Sequence, residues 1–364
     1  MRIISLDLIT GDELLAKEIT KNNTTLMTAG NIVKQEYVHK LKDLGIDHIY
    51  VEDDIAKGVI LKNSLEWQIK DLCLANIKKM LTIHDLENNI PNEEVIKIAN
   101  DIINIILSNP KTIYNLYSIR ENSEQIYAHS LNVCALSVIV ALKLKLSKSK
   151  ILDIAIGALL HDIGLCFTTI NYNEINTEKC SENELKEIIR HTIYGYSAVE
   201  NQSWLSKISR NMIISHHERI DGSGYPFHLK ENHIKLEAKI VAVCDEFDSR
   251  VYGNLVGKMK VHEAIDFIVT HAGPGRLFDL HVVNVFIDSV AVYPTGSIVE
   301  TNEGEFGIVL RQNVKFPTRP VIRILQNVEG IKVNTWLEKD LSSELTMRIT
   351  DTISDYKLGN CETI

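Results

Sequence analysis

The sequence contains no C-x-x-C pair. Its six cysteines, Cys73, Cys134, Cys166, Cys180, Cys244 and Cys361, are scattered, which argues against a disulfide framework. Several fall in apolar helical runs, where cysteine behaves as a small hydrophobe, so a reducing cytoplasm is the expectation. No window approaches the ~20 apolar residues that a membrane helix needs. The apolar run in Met1-Arg2-Ile3-Ile4-Ser5-Leu6-Asp7 is too short for a signal peptide, so a soluble protein with no membrane association is expected. No internal repeat or low-complexity segment is present. Positive charge is not in excess either: 39 Lys and Arg face 48 Asp and Glu, a formal net charge of −9. That balance argues against non-specific binding to long nucleic acid, which needs a broad basic face. It leaves room for a small phosphate ligand, which one metal site or a few cations can hold.

What is present is an ordinary globular composition, with 45% hydrophobic and 24% charged residues over 364 positions. Such a chain can bury a sizeable core, and its length suits two or three domains. Residues 1–55 read as a small α+β module. Strand-like runs at Ile3–Leu6, Thr25–Met27 and Ile46–Val51 surround a helix over about Ile32–Leu44, with Gly45 just past its end. Residues 56–118 read as a helical connector, through Leu65, Ile69, Leu72 and Ile77 and then Ile96, Ala99, Ile103 and Ile106. Pro91 falls near a helix start, and the Asn88-Asn89 and Asn109-Pro110 stretches break the pattern. Residues 119–291 are a run of helices. Residues 292–364 form a small β-rich module, opened by Tyr293-Pro294-Thr295-Gly296, with Gly304 and Gly307 as turn signals and Val321–Ile324 as a strand. The expected fold is mainly α, a helical domain with a small module at each flank.

The chemistry lies in the helical region. In Ala158-Leu159-Leu160-His161-Asp162-Ile163-Gly164, a helix closed by Gly164 carries a His-Asp pair at its carboxyl end. Adjacent side chains diverge by ~100° on a helix, so both reach one metal only where the helix end curls around it. His191 falls on a helix whose start is marked by the capping-box pattern Ser181 and Glu184. In Ser215-His216-His217-Glu218-Arg219-Ile220-Asp221-Gly222-Ser223-Gly224-Tyr225-Pro226, two imidazoles end an apolar run. The glycines then permit positive φ and close backbone approach, and Pro226 stiffens the exit. Asp245 follows the apolar run Ile240–Cys244, and an ionised carboxylate there needs a partner. Upstream, His129 opens another apolar helix. Taken singly, His191 reads as a core or surface histidine and Asp245 as half of a salt bridge. Together His129, His161, Asp162, His191, His216, His217 and Asp245 are too many ligands for one ion and right for two, with Asp162 as the bridge. Mixed imidazole and carboxylate donors favour two divalent ions such as iron or manganese over thiolate zinc. A two-ion centre suits hydrolysis of a phosphodiester.

From about Ser123 to Ser289 the order and spacing of these segments resemble the HD-GYP family, bacterial metal-dependent phosphodiesterases of cyclic di-GMP within the HD superfamily. Residues 1–52 and 293–345 resemble modules found before and after that domain. The resemblance implies an all-helical domain that hydrolyses a cyclic dinucleotide, in second-messenger signalling, to the linear dinucleotide or on to GMP. Some members prefer cyclic GMP-AMP. It implies a loop at Gly222, Gly224, Tyr225 and Pro226 that handles substrate or meets a partner. A homodimer or a signalling partner protein is a family-level expectation.

Three departures stand out. Gln125 occupies the place of a glutamate that members with three metals carry, so two ions are expected. Leu165 stands where the family has a phosphate-binding lysine. The expected loop arginine falls near Asn254, leaving Arg250 or Lys258 as substitutes. Each charge-assisted phosphate contact contributes ~1.5–3 kcal/mol, so two lost contacts would weaken binding by ~3 kcal/mol or more, about a hundredfold. Alternatives are therefore a module that binds nucleotide or a partner without turnover, and a hydrolase of a different nucleotide. In the hydrolase readings Asp162 bridges; His161, Asp245 and His129 hold one ion; and His191, His216 and His217 hold the other. Asp248 orients a ligand from behind.

Overall fold

The computed structural model describes residues 1–21, 24–44, 46, 48–59, 65, 68–69, 72–73, 77, 90–109, 113–114, 125–169, 180–253, 257–333, 337–353 and 356. Gly45, Asn88, Asn89, Pro110, Asn254 and Cys361 lie outside the described residues. The chain divides into two compact units. One gathers Met1–Ser64, Asn115–Asn122 and Ala291–Ile364; the other holds Leu65–Tyr114 and Ser123–Val290.

In the first unit, strand β1 (Arg2–Ser5) pairs antiparallel with β5 (His48–Glu52), which also pairs with β2 (Leu14–Leu15). Strands β3 (Ile19–Lys21) and β4 (Thr24–Met27) form a separate two-stranded sheet. Helix α1 spans Gln35–Asp43, three residues shorter at its start than the periodicity suggests. The reason is local pairing. Leu15 N–H donates to Asn31 O at 2.8 Å, Val33 N–H donates to Glu13 O at 2.9 Å, and Ile32 bridges Leu14. Residues 31–33 are thus held extended. Their backbone groups are already satisfied outside a helix, so the helix begins after Lys34.

The carboxyl-terminal part is one antiparallel sheet in the order β10 (Ile349–Ile353), β6 (Ile298–Thr301), β7 (Phe306–Arg311), β8 (Val321–Gln326), β9 (Glu338–Asp340). Its core is Val299, Val309, Ile322, Ile324, Leu341, Met347 and Ile349. Gly304 has φ +79° and turns the chain from β6 to β7. Gly307 differs from its expected role. It lies inside β7 at a register irregularity, where an added Cβ would sit 2.9 Å from Arg323 O. It marks a close backbone approach between strands rather than a turn.

The second unit is helical. Helix α2 (Asn92–Ser108) begins after Pro91 and buries Val95, Ile98, Ala99, Ile102 and Ile106. Its core stripe is displaced from the one expected, and Ile96 and Ile103 sit at its margin. In the connector before it, Leu65, Ile69, Cys73 and Ile77 are buried while Leu72 is exposed, so the stripe runs through Cys73. Helix α3 (Gln125–Lys143) packs along α4 (Lys148–Leu160) and α8 (Leu236–Tyr252). Around them stand α5 (Glu182–Ile189), α6 (His191–Val199), α7 (Lys207–Ser215), α9 (Val261–Thr270) and α10 (Leu280–Ile287). Nearly all of α3 from Ala128 to Ala141 is buried, as expected of a helix packed on several sides. Among the described residues no helix is long and apolar enough to cross a membrane.

Candidate metal centre

Five helices deliver their ends or middles to one buried point. The His161-Asp162 pair follows α4, with His161 at its carboxyl cap, and a short 3-10 turn over Ile163–Phe167 comes next. The α-helix thus ends before Gly164, which sits inside this turn for a different reason. A Cβ at Gly164 would lie 1.8 Å from His191 O and 2.6 Å from Gly195 N. Only glycine lets the turn after Asp162 touch the backbone of α6 at His191.

His191 itself opens α6 rather than continuing the capped helix α5. The capping box of Ser181 and Glu184 is formed as expected. The chain then breaks at Arg190, whose N–H closes onto the carbonyls of Lys186 and Glu187. His191 Nδ1–H donates to Ile188 O at 2.6 Å across that break.

The histidines share a way of being held. His161 Nδ1–H donates to Ala158 O at 2.8 Å, and His216 Nδ1–H donates to Ile213 O at 3.0 Å. His129 Nδ1–H donates instead to Asp248 Oδ2 at 2.6 Å. A carbonyl or carboxylate oxygen only accepts, so each of these rings carries a proton on Nδ1 and turns its Nε2 to the centre, where it is a ligand once any second proton has left. Those nitrogens converge. The Nε2 atoms of His129 and His161 are 3.2 Å apart, and those of His191 and His216 are 3.3 Å apart. Two facing lone pairs at that distance repel unless a proton or a cation lies between them. The donor set therefore fits metal ions.

Asp162 divides the cluster. Its Oδ2 lies 3.5 Å from His129 Nε2 and 3.4 Å from His161 Nε2. Its Oδ1 lies 3.3 Å from His191 Nε2 and 3.6 Å from His216 Nε2. Asp245, mid-helix in α8, sits 3.2 Å from His129 Nε2 through Oδ1 and 3.6 Å from His217 Nδ1 through Oδ2. Two overlapping groups could each hold an ion, one of His129, His161 and Asp162, the other of Asp162, His191, His216 and His217.

The electrostatics differ between these groups. Burial opposes a charge on His129, but Asp245 and Asp248 outweigh it and push its pKa up to about 10. Burial likewise opposes His161, and Asp162 reverses the sign, raising it. On the other side burial depresses His216 and drives His217 well below the usual imidazole value, with neighbouring imidazoles adding to the effect. Burial would raise Asp162, yet His161, His191 and His216 hold its carboxyl well below the ordinary range. Asp245 is lowered against burial by His129 and His217.

The loop after α7 also takes a defined form. Gly222 has φ +88°, and the Tyr225–Pro226 peptide is cis. A Cβ at Gly224 would lie 2.2 Å from Arg219 N and 2.4 Å from His217 O. The loop thereby folds back onto its own helix end, and Tyr225 stacks on His217 with ring centroids 4.7 Å apart. Pro226 leads into Phe227 and Leu229, whose N–H groups donate to Glu218 at 2.7 and 2.8 Å.

The cations expected at the substrate are placed less directly. Arg250 pairs with Glu246 at 2.7 Å and lies over the Phe267 ring, 3.3 Å from its centroid. Arg219 holds the other oxygen of Glu246 at 2.7 Å. Lys258 is exposed beside Gly253, the left-handed cap of α8. Leu165 is buried.

Sequence reasoning missed Glu218, Asn132 and Tyr114. Glu218 follows the two histidines directly, and Asn132 lies three residues beyond His129 on one helix face, a spacing that could have exposed it. Tyr114 carried no such signal.

Residues 103–282 match the family model described as HD domain, and residues 298–360 match the KOW domain associated with HD domain. The chain is 30% identical over 229 residues to the cyclic di-GMP phosphodiesterase PA4108 of Pseudomonas aeruginosa, covering 62% of this chain and 54% of that one. It is 26% identical over 207 residues to the cyclic di-GMP phosphodiesterase PdeB of Borreliella burgdorferi, covering 57% and 54%. It thus spans about half the length of each of these relatives. Among solved structures, the HDG"Y"P protein Bd1817 from Bdellovibrio bacteriovorus superposes with a TM-score of 0.50 at 21% identity, covering 78% of this chain and 97% of that one. That likeness is one of fold.

Proposed function

From the match of residues 103–282 to the HD domain family, we propose that the chain is a metal-dependent phosphodiesterase opening a cyclic dinucleotide, cyclic di-GMP first, to the linear dinucleotide or GMP. The observation that carries the reading is the division of Asp162, with one oxygen toward His129 and His161 and the other toward His191 and His216. In this reading Asp162 would be a ligand to both of two ions. His129, His161 and Asp245 would hold one of them with it; His191, His216 and His217 would hold the other. Nitrogen and oxygen donors without thiolate suit iron or manganese. Such ions, when bound, polarise phosphoryl oxygens and lower the pKa of water.

The chain's own residues do the rest. The backbone carbonyls behind His161, His191 and His216, and Asp248 behind His129, keep each ring turned toward the centre. Burial of the ligands keeps bulk water from weakening their electrostatic effect. Gly222, Gly224, Tyr225 and Pro226 form the wall against His217 where substrate is handled. Residues 119–291 act as the hydrolase domain, with 1–55, 56–118 and 292–364 as flanking modules, in a cytoplasmic signalling protein. The relatives named for cyclic di-GMP hydrolysis support this choice of substrate.

A second reading has its own support. Leu165 is buried and Arg250 is committed to Glu246, a thin phosphate grip that favours nucleotide binding without turnover. Manganese- or iron-loaded protein incubated with cyclic di-GMP and with cyclic GMP-AMP, with products read by mass, separates the two. Linear product that disappears in His161→Ala supports the hydrolase. Binding with no product at any pH supports the second reading, and product from neither dinucleotide but from another nucleotide moves the substrate class.

A further inference from the structure

Three of the imidazoles are fixed by backbone carbonyls three residues earlier in the chain, Ala158, Ile188 and Ile213. Any side chains at those positions would leave these carbonyls in place. His129 is held differently, by a line of side chains that starts at Tyr114. Tyr114 Oη donates to Asn132 Oδ1 at 2.9 Å, and Asn132 Nδ2 donates to Asp248 Oδ1 at 2.9 Å. His129 Nδ1–H then donates to Asp248 Oδ2 at 2.6 Å. Tyr114, Asn132 and Asp248 are all buried.

The line has one direction only. A carboxylate accepts and never donates, so the amide of Asn132 must turn its NH2 to Asp248. Its carbonyl oxygen then faces Tyr114, which must donate. Tyr114 is itself anchored, since its N–H donates to Ser289 O at 2.9 Å and it bridges Val290. With Asp248 pinned through Oδ1, its Oδ2 is fixed on His129, and His129 Nε2 is fixed toward the centre. Among the described residues, His191 and His216 donate from Nδ1 to backbone carbonyls of the preceding turns.

We propose that Tyr114 and Asn132 are positioning residues that set the affinity of the ion at the His129 position and leave the ion at the His191 position untouched. The proposal rests on the two-ion reading of the centre. Hydrogen-bonded partners behind a metal-bound histidine commonly change affinity by about 10- to 100-fold. Loss of one neutral hydrogen bond further out corresponds to roughly 2- to 10-fold.

The test is calorimetric titration of Mn²⁺ into the full-length protein after chelator treatment, for wild type, Asn132→Ala and Tyr114→Phe. Wild type is expected to bind two equivalents. Asn132→Ala should weaken one of them by about 10- to 100-fold, and Tyr114→Phe, which keeps the ring, should weaken the same one by roughly 2- to 10-fold. The other equivalent should stay unchanged in both. Parallel weakening of both equivalents would show a merely structural role and overturn the proposal, as would two unchanged equivalents. Should Asn132→Ala fail to fold, Tyr114→Phe decides alone. A wild type that binds no Mn²⁺ would bring down the two-ion reading and this inference with it, whereas normal wild-type binding with unaltered variants brings down the inference only.

Discussion

The centre of the helical unit and the core of the carboxyl-terminal sheet are both buried, and they are made of opposite materials. The first holds His129, His161, Asp162, His191, His216, Asp245 and Asp248 away from solvent; the second holds Val299, Val309, Ile322, Ile324, Leu341, Met347 and Ile349. Apolar burial stabilises by roughly 25 cal/mol per Å². Burying ionisable groups costs several kcal/mol per ion unless each is paired. The sheet core is what folding alone would select. The polar centre persists because its groups satisfy one another and converge on a common point, so it should matter to activity more than to stability.

The largest effect expected is that of Asp162→Asn. In the proposed hydrolase the ligand shared by the two ions would be lost, and with it several kcal/mol of transition-state stabilisation, on the order of 10³-fold in turnover. Thermal unfolding of the metal-free variant should register only the lost pairing of that carboxylate with the buried imidazoles, a smaller effect than the loss of turnover. Turnover within tenfold of wild type would break the comparison. Ile322→Ala is the converse. It should cost about 2–5 kcal/mol in urea unfolding, while the number of Mn²⁺ equivalents bound by the folded protein stays the same.

Glu218→Gln sits between the two kinds. Its carboxylate takes two backbone N–H groups at 2.7 and 2.8 Å, and an amide oxygen and NH2 serve only one of them well. A cost of about 1–3 kcal/mol follows, read as faster hydrogen exchange at Phe227 and Leu229. Unchanged exchange at those two amides would remove Glu218 from the loop's support.

Asp279→Ala should be the smallest, about 0.5–2 kcal/mol as for other helix caps. Asp279 accepts from His281 N–H and Val282 N–H at the start of α10 and pairs with Lys239 at 2.9 Å. Burial works against its charge, but Lys239 and the helix N–H groups win, and its pKa lies below the usual carboxylate value. Its contribution is therefore present above the unfolded value, about 3.9, and is lost as pH falls below it. The gap between wild type and variant should narrow progressively as unfolding is followed to pH values further below that unfolded value. A gap that persists there would assign the effect to packing.

Several parts of this arrangement were legible in the sequence because they depend on neighbours a few residues away. The capping box of Ser181 and Glu184, the His-Asp pair at the end of α4 and the two histidines closing α7 all follow from helical spacing and local caps. So does the turn at Gly304. Other parts depended on distant backbone and were misread or missed. Gly164 looked like a helix stop and is instead the point where two backbones touch. Gly307 looked like a turn and is a close approach between strands. His191 begins a new helix, because the chain bends at Arg190 to bring its ring to Asp162.

By itself, then, the sequence determined which side chains could act as donors, on which helices they ride and that their chemistry suits cations without thiolate. Those facts are fixed by residue type and by a repeat of 3.6 residues per turn, both short-ranged. Only the tertiary structure decided that one oxygen of Asp162 meets His129 and His161 while the other meets His191 and His216. It also decided that Arg219 reaches Glu246, and that Tyr114 stands behind His129 through Asn132 and Asp248. Such pairings join residues tens of positions apart or more, and their geometry depends on how whole helices pack, which no local pattern encodes.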